Sequence, residues 1–381
     1  MIQLPRDVQE RLIGRRVQDV LTPADRRSLA GQRVLVTGGG GSLGSELARQ
    51  LATCHPARLT IFEQSEYALF RIISELQEQH PGVAIDSILG DVSRQADIRA
   101  ACRVARPHAV FHAAAYKHVT LTESSALVAA RTNILGTFET VRAARDVGAR
   151  FLLISSDKAA EPQSVMGASK RFAELVALGF ASNTFRPLAV RFGNVLGSSG
   201  SFVEIMWRCV QAGQNIPVTD PDATRFFMTA QEAVSLVLKA DRIGSRGEVF
   251  WLDMGRPLRI GDLAQRFVEW AVTSGHARVG IDRIGLRPGE KMSEALTTQG
   301  LEMRRTMHPR IWSARQVPVD PLALQASVRR LRRAVALGDA SGVLAVVREA
   351  VDGFIPSQAA LAAARSRTPA PAVQSAALAS A

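Results

Sequence analysis

Two adjacent side chains that can carry protons, Asp157 and Lys158, directly follow the apolar run RFLLISS of residues 150–156. A carboxyl group and an amine at the end of a buried strand can serve as general acid and general base. We expect burial to weaken the charged form of Lys158, and nearby phosphate to raise the proton affinity of Asp157. The alternative interpretation is a surface ion pair, which contributes little to stability.

The segment that follows, VMGASK, predicts the start of a helix that carries Met166 and Lys170. A thioether can neither give nor take a proton, so Met166 offers packing only. It packs either against a bound ligand or as ordinary core filling. Proton chemistry near this helix therefore depends on Asp157 and Lys158.

A glycine-rich turn, VLVTGGGGSLGSELARQLA, joins an apolar strand to a helix and contains Gly38, Gly41 and Gly44. Glycine permits the tight turn, the close approach of backbone to a pyrophosphate and close helix–strand packing. The helix N-terminus then presents free N–H groups to the phosphates. The pattern predicts a dinucleotide site.

An acid, Glu63, ends the next strand, LTIFE, about 20 residues after the turn. A carboxylate there accepts hydrogen bonds from the ribose hydroxyls and repels a 2′-phosphate, which favours NAD over NADP. Its alternative role is that of a helix-start acid beside Ser65. Asp91 in GDV is predicted either to meet the adenine amino group or to cap a helix. The predicted cofactor-binding residues are Gly38, Gly41, Ser42, Leu43, Gly44, Glu63, Asp91, Val92, Ala113 and Ala114.

Short apolar runs alternate with longer amphipathic segments between residues 33 and 195, which predicts a doubly wound α/β fold with a parallel sheet. The predicted strands are 33–37, 58–63, 85–90, 108–113, 150–156 and 187–192. The predicted helices between them are Ser42–Ala52, Glu66–Glu78, Ser93–Arg103, Ser125–Val147 and Met166–Leu178.

Beyond residue 195 the pattern loosens and predicts a smaller α/β substrate-binding lobe. Its elements are helix 202–212, strand 224–229 (TRFFMT), helix 230–240, strand 248–254 (EVFWLDM) and helix 260–272. The predicted divisions are an N-terminal arm at 1–30, the dinucleotide-binding domain at 31–195, the lobe at 196–320, C-terminal helices at 321–355 and a disordered Ala/Pro/Ser-rich tail at 356–381.

The composition is that of a globular protein, with 46% hydrophobic and 22% charged residues among 381. No apolar run reaches about 18 residues and the N-terminus does not resemble a signal peptide, so we expect no membrane span. Three cysteines without metal or redox spacing favour a cytoplasmic location and predict no metal site. The net charge of +12 comes largely from Arg-rich terminal stretches, which favours anionic ligands over nucleic acid.

An ordered set of motifs resembles the extended short-chain dehydrogenase/reductase family, and more closely its nucleotide-sugar 4,6-dehydratase branch. The motifs are VTGGGGSLGSEL, AAAYKHVTLTE, TNILGT, SSDKA, MGASK, RFGNVLGSSGS, TRFFMT, LDMG and GLRPGEK, spread over residues 12–296. The resemblance implies a Rossmann domain and a lobe that binds a nucleotide sugar. LIGRRVQDV is similar to the linker that follows a membrane domain in long members of the branch, so we expect a soluble version without that domain. In that subgroup Met replaces the Tyr that elsewhere precedes the helix lysine by four residues.

The resemblance implies 4,6-dehydration of UDP-N-acetylglucosamine with NAD for surface polysaccharide synthesis. Lys158 would be the base at C5, Asp157 the acid that releases water at C6, and Ser156 the hydrogen-bond partner of the 4-hydroxyl. Lys170 would bind the nicotinamide ribose. Either Asp157 or an ordered water takes the proton of the C4 hydroxyl.

Six residues are expected on the substrate side, namely Lys117, His118, Asn194, Arg225, Arg287 and Glu290. The guanidinium of Arg287 matches two diphosphate oxygens at once. Arg225 is a second such group or a salt-bridged strand residue, and His118 contacts the sugar or serves a structural role. Glu290 supports Arg287 or a ribose hydroxyl.

Two other functions are open at this point. A UDP-sugar 4-epimerase shares the fold and the keto intermediate but needs the Tyr base that is replaced by Met166. A catalytically silent NAD-binding scaffold is favoured only by the missing Tyr. The resemblance also predicts a homo-oligomer.

Overall fold

A computed structural model describes residues 4–245, 247–295, 297–298, 301–315 and 320–367. Its strands are β1 Arg33–Thr37, β2 Arg58–Glu63, β3 Ile85–Leu89, β4 Ala109–His112, β5 Arg150–Ile154, β6 Pro187–Arg191, β7 Asn194–Leu196, β8 Ile216–Val218, β9 Thr224–Arg225, β10 Phe227–Thr229, β11 Glu248–Leu252, β12 Leu258–Arg259, β13 Ile281–Arg283, β14 Arg304–Arg305 and β15 Ile311–Arg315. Its α-helices are α1 Arg6–Ile13, α2 Pro23–Leu29, α3 Ser42–Ala52, α4 Glu66–Gln79, α5 Gln95–Ala105, α6 Val119–Glu123, α7 Ala126–Ala129, α8 Gly136–Asp146, α9 Val165–Gly179, α10 Phe202–Gln211, α11 Ala230–Ile243, α12 Ile260–Thr273, α13 Pro321–Ala336, α14 Ala340–Ala350 and α15 Gln358–Arg367.

The main sheet has the order β14-β15-β11-β6-β5-β4-β1-β2-β3, in which the strands from β11 to β3 are parallel. Chain order reverses between β1 and β4, and ligands of doubly wound sheets bind at the carboxyl ends on either side of such a point. The predicted doubly wound α/β fold is confirmed.

Both faces of the sheet are buried, which explains the nearly continuous apolar strands. On β1, Leu35 packs into the core on one face, whereas Val34 and Val36 pack into the core on the other. Since a polar residue at any of these positions would be buried without water, the alternating pattern of a half-exposed sheet is absent from the sequence.

The smaller lobe has its own core, which is formed by α1, α10, α12 and β8. The division predicted at residue 195 is nevertheless wrong for part of the following segment. The strands β11, β14 and β15 extend the main sheet instead of the lobe, because β11 pairs in parallel with β6. The predicted strand at 224–229 is also two short strands, with β9 pairing to β12 and β10 to β7.

Two other predictions required correction. The helix predicted at Ser125–Val147 is divided into α7, a π-helical turn at Ala130–Leu135, and α8. Part of the segment predicted to be a disordered tail forms α15, whose small residues Ala360 and Ala364 are buried against the main core. Residues 368–381 of that tail lie outside the described residues. No helix of the described chain is long and apolar enough to cross a lipid bilayer.

Candidate active site

The glycine turn between β1 and α3 forms one wall of a cleft at the carboxyl edge of the sheet. Gly38 has φ of +68°, and a Cβ atom on it would lie 2.6 Å from the backbone N and Cα of Ala114. The α3 helix begins after Gly41 without a side-chain cap, so its first N–H groups face the cleft. Because no side chain separates the backbone of the glycine turn from the cleft, a dinucleotide can approach that backbone closely.

A methyl group at Gly44 is expected to disrupt this cradle, because its Cβ would lie 2.7 Å from the carbonyl carbon of Gly38. For Gly44→Ala we expect a loss of about 1–3 kcal/mol in stability, typical of overpacking. NAD affinity should fall about tenfold or more, which corresponds to ~1.4 kcal/mol. Thermal unfolding and calorimetric titration with NAD measure both effects.

The matched control is Gly82→Ala, where no atom lies within 4 Å of the added methyl. Equal NAD affinity in the two variants would contradict the prediction.

Most of the predicted cofactor residues line this cleft, together with several residues that the sequence did not predict. Of the predicted set, those lining it are Gly38, Gly41, Glu63, Val92, Ala113 and Ala114. The missed lining residues are Gly40, Phe62, Gln64, Ala68, Gly90, Ala115, Tyr116 and Thr132. Tyr116 and Thr132 lie in the motifs AAAYK and TNILGT, which therefore contained a usable signal.

Three other predicted cofactor residues, Ser42, Leu43 and Asp91, are not among the residues that line the cleft. Ser42 accepts a hydrogen bond from the backbone N–H of Ser199 at 2.9 Å and so ties the glycine turn to the loop after β7. Leu43 packs against the core beside α3. Asp91 accepts a hydrogen bond from Ser93 N–H at 2.8 Å, and α5 begins only after Arg94. The alternative that Asp91 caps the helix is therefore wrong.

The carboxylate of Glu63 contacts both the glycine turn and the entrance to α4, while its contact with a ribose stays a prediction. One carboxylate oxygen accepts a hydrogen bond from Gly40 N–H at 3.1 Å, which places it beside the glycine turn. The other accepts from the N–H groups of Gln64 and Ser65 at 2.9 and 3.0 Å, at the entrance to α4. The carboxylate is thus fixed at the end of β2, where a ribose would lie.

Lys158 lies at the centre of a buried polar cluster just beyond β5. Its Nζ donates hydrogen bonds to Asp157 Oδ1 at 3.1 Å and to Asn194 Oδ1 at 3.3 Å, and it lies 3.3 Å from Glu294 Oε1. The side chain is 19% exposed, so the alternative of a surface ion pair does not fit. Ser156 Oγ donates to Asp157 Oδ1 at 3.0 Å.

The pKa of Lys158 is shifted in the direction opposite to the expectation. Burial lowers its pKa, but the neighbouring carboxylates of Asp157 and Glu294 outweigh burial and raise the pKa above its ordinary value. The expectation of a weakened charged form overlooked Glu294. The signal for this residue was the glutamate three residues after GEK, but its partner Lys158 is 136 residues earlier, so spacing alone did not connect them.

Two oxygens of this cluster, Asp157 Oδ2 and Glu294 Oε2, are buried without a hydrogen-bond partner among the described residues. An unsatisfied buried carboxylate oxygen is costly unless a ligand or a proton satisfies it. The other oxygens of the same carboxylates, Asp157 Oδ1 and Glu294 Oε1, lie 3.1 and 3.3 Å from the amine of Lys158. The arrangement can hold and exchange protons next to a bound molecule.

Lys170 and Met166 lie on the first turns of α9. Lys170 Nζ donates to the carbonyl oxygen of Ile154 at 2.6 Å, and burial lowers its pKa to about 8. Met166 is 3% exposed, which agrees with its interpretation as core filling. The start of α9 is fixed by Glu123, whose carboxylate accepts a hydrogen bond from Val165 N–H at 2.7 Å.

The two arginines expected on the substrate side, Arg225 and Arg287, have different surroundings. Arg225 donates to the carbonyl oxygens of Lys291 and Met292 at 2.7 and 3.2 Å, so it holds the end of GLRPGEK. Its Nε also lies 3.8 Å from Glu294 Oε1, which favours the alternative of a salt-bridged strand residue. Arg287 is exposed, and its backbone N–H donates to Glu290 at 3.0 Å, the predicted supporting contact.

The other substrate-side prediction concerns Lys117 and His118, which precede α6. Burial lowers the pKa of Lys117, although Glu204 opposes that effect. Burial, followed by the charge of Lys117, also lowers the pKa of His118. The His118 ring lies against Gly200, where a Cβ atom would be 3.0 Å from Nε2. These residues and the loop after β7 are therefore neighbours.

Residues 34–316 match the family described as Polysaccharide biosynthesis protein. The chain belongs to this family. The capsular polysaccharide biosynthesis protein CapD of Staphylococcus aureus is 39% identical over 293 residues, which are 75% of this chain and 48% of CapD. The inverting UDP-N-acetylglucosamine 4,6-dehydratase of Campylobacter jejuni is 30% identical over 272 residues, 70% of this chain and 77% of that enzyme.

The family membership confirms the branch expected from the motifs, nucleotide-sugar dehydratases of the extended short-chain dehydrogenase/reductases. Among solved structures, Pen from Bacillus thuringiensis has a TM-score of 0.70 at 28% identity, covering 79% of this chain and 98% of Pen. The chain spans about half the length of the first curated relatives of the family, 48% and 53%.

Proposed function

We propose that this chain is a UDP-N-acetylglucosamine 4,6-dehydratase, which forms a UDP-4-keto-6-deoxy-N-acetylhexosamine for polysaccharide synthesis. The observation that carries the proposal is the buried Asp157–Lys158 pair, with Asp157 Oδ2 lacking a partner in the described chain. The pair follows β5, which is adjacent to β4, and the residues after β4 line the dinucleotide cleft. A dehydration requires a base and an acid on neighbouring carbons, and these two groups are 3.1 Å apart.

The roles follow from what each group can do. When bound, NAD would supply a hydride acceptor for C4 and, once reduced, the hydride donor for C6. Lys158 removes the C5 proton, which the adjacent 4-ketone makes acidic, and Asp157 protonates the departing C6 hydroxyl. Ser156 binds the 4-hydroxyl, while Arg287 binds the diphosphate. Asn194 holds the Lys158 amine toward the sugar through its 3.3 Å contact.

The second candidate is a UDP-sugar 4-epimerase. It is favoured by similarity to a UDP-glucose 4-epimerase of Rickettsia canadensis, 34% identical over 194 residues and 50% of this chain. Met166 weighs against it, since epimerisation at C4 uses a phenol at this position and has no use for an acid–base pair at C5 and C6. A catalytically silent NAD-binding scaffold would leave the buried pair without a role.

The test is incubation of the purified protein with NAD and UDP-N-acetylglucosamine in deuterium oxide, followed by mass spectrometry. We expect loss of one water, deuterium at C5 and no net formation of NADH. A C4 epimer without deuterium at C5 would identify the epimerase. An intact, unlabelled sugar would leave the scaffold. The homo-oligomer and the cytoplasmic location stay predictions.

The preference for NAD over NADP is part of the proposal and depends on Glu63. For Glu63→Gln we expect the NAD/NADP affinity ratio to fall about tenfold, because a charge-assisted hydrogen bond of about 1.5–3 kcal/mol is weakened and the repulsion of a 2′-phosphate is removed. Calorimetric titration with each cofactor measures the ratio. The control is Glu66→Gln, an exposed carboxylate in the first turn of α4. An unchanged ratio in Glu63→Gln would assign the carboxylate to the entrance of α4 alone.

A further inference from the structure

Glu294 is a buried carboxylate to which the roles above give no task. Its side chain is 4% exposed, Oε1 lies 3.3 Å from Lys158 Nζ and 3.8 Å from Arg225 Nε, and Oε2 has no hydrogen-bond partner in the described part of the chain. The preceding loop is fixed by Arg225, which donates to the carbonyl oxygens of Lys291 and Met292. Glu294 is therefore held against the lysine by protein contacts.

The Asp157–Lys158 pair alone has too few proton acceptors for the proposed dehydration. In the ion pair, Lys158 carries one shared proton. Removal of the C5 proton needs a neutral Lys158 while release of the C6 hydroxyl needs a protonated Asp157, so the shared proton has to move to Asp157. The proton released by the C4 hydroxyl, when the 4-ketone forms, then finds no vacant group in the pair.

A continuous path leads from the expected position of the C4 hydroxyl to Glu294. Ser156 Oγ, its predicted partner, donates to Asp157 Oδ1 at 3.0 Å, and Lys158 Nζ donates to the same oxygen at 3.1 Å. The last step of the path joins Lys158 Nζ to Glu294 Oε1, which are 3.3 Å apart. Each neighbouring pair is within hydrogen-bonding distance, so a proton can move along the path by exchange between neighbours.

We propose that Glu294 is the proton store of this site, a role that rests on the proposed dehydratase function. When the C4 O–H bond breaks, the path through Ser156, Asp157 and Lys158 places one proton on Glu294. Lys158 is then neutral and Asp157 protonated. The C5 proton passes to Lys158 and the Asp157 proton leaves with the C6 hydroxyl as water. Lys158 later returns a proton to C5, and Glu294 restores the proton of Lys158, which closes the cycle.

Glu294→Gln tests the proposal, because the amide keeps the size and an oxygen for Lys158 but cannot store a proton. With UDP-N-acetylglucosamine and NAD we expect kcat to fall about 10²-fold, in the range of lost proton-transfer catalysis, with little change in KM. The rate of the variant should rise with pH, since at alkaline pH Lys158 loses its proton to solvent and the pair regains a vacant acceptor. A merely structural Glu294 would lower the rate equally at every pH. Glu294→Asp should recover part of the rate.

The control is Glu302→Gln, which removes the same charge from a side chain that is 79% exposed. A measurement without turnover accompanies the kinetics: labelling of Lys158 by an amine-reactive reagent, followed by mass spectrometry over a range of pH. Since Glu294 contributes to the raised pKa of Lys158, labelling should begin at lower pH in Glu294→Gln and be unchanged in Glu302→Gln.

The outcomes separate the two proposals. A dehydrating wild type with a Glu294→Gln variant of equal rate, or of pH-independent loss, overturns the proton store and leaves the dehydratase. A wild type that does not dehydrate the sugar overturns both. A pH-rescued loss with shifted Lys158 labelling supports the proton store.

Discussion

Replacement of Lys158 by methionine is expected to abolish turnover of the nucleotide sugar while leaving NAD binding intact. The side chain keeps its length but loses the amine that removes the C5 proton, so kcat should fall by about 10³–10⁴-fold. The proposed NAD site is formed by the glycine turn and the end of β2, with which Lys158 makes no hydrogen bond in the described chain. Product formation by mass spectrometry and NAD titration by calorimetry measure the two effects.

The same variant should be less stable, because it leaves the carboxylates of Asp157 and Glu294 buried without their shared cation. Breaking a buried pair costs about 3–5 kcal/mol, and we expect on the order of 2–3 kcal/mol for this partly open site. The pKa of Lys158 is raised in the folded chain, so its charged form stabilises the wild type at lower pH and ceases to do so as the pH rises through that pKa. The deficit of Lys158→Met should therefore shrink at alkaline pH. Denaturant unfolding at several pH values measures it.

Lys158→Arg is the matched control for both effects. A guanidinium keeps the positive charge between the carboxylates but does not lose its proton, so stability should be largely restored and activity should not. An active Lys158→Arg, or a Lys158→Met that retains turnover, would contradict the assignment of the C5 base.

The parallel sheet was predictable from sequence because local signals agreed there. The apolar run of β1, the glycine turn and the helix pattern of α3 all specify one structure, and their bounds are those expected. The π-helical turn before α8 had no such signal. There, Asn133 donates to the carbonyl oxygen of Tyr116 and to Ser169 Oγ, and these contacts are made by distant parts of the chain. Helix periodicity does not contain that information.

The site was predictable to the extent that it follows strand ends. Glu63 ends β2, and Asp157 and Lys158 follow closely after the end of β5, so all three lie at the carboxyl edge of the sheet. Glu294 and the structural role of Arg225 depend on a loop that closes over this edge from the lobe. Its position is fixed by hydrogen bonds between residues 66 and 67 positions apart. The contact of Glu294 with Lys158 contributes to the raised pKa of the lysine.

Asp157→Asn is expected to separate the two proton steps that Lys158→Met removes together. The amide has the size of the carboxyl but cannot protonate the C6 hydroxyl, so formation of the 4-keto-6-deoxy sugar should fall by about 10²–10⁴-fold. Asp157 is the strongest of the neighbours that raise the pKa of Lys158, so the variant lysine has a lower pKa and becomes neutral at lower pH. The path from Ser156 to Lys158 is interrupted in this variant, so the C4 hydroxyl proton leaves to solvent and the ketone forms slowly. Once the ketone has formed, Lys158 can still remove and return the C5 proton.

In deuterium oxide, Asp157→Asn should therefore return unreacted sugar that carries deuterium at C5, whereas no exchange is expected in Lys158→Arg. Mass spectrometry of the recovered nucleotide sugar, with fragmentation to locate the label, measures it. If the roles were reversed, with Asp157 as the base, Asp157→Asn would return unlabelled sugar and Lys158→Met would return labelled sugar. The two labelling patterns are mutually exclusive, so this one pair of variants decides which of the two adjacent side chains removes a proton from carbon and which gives a proton to oxygen.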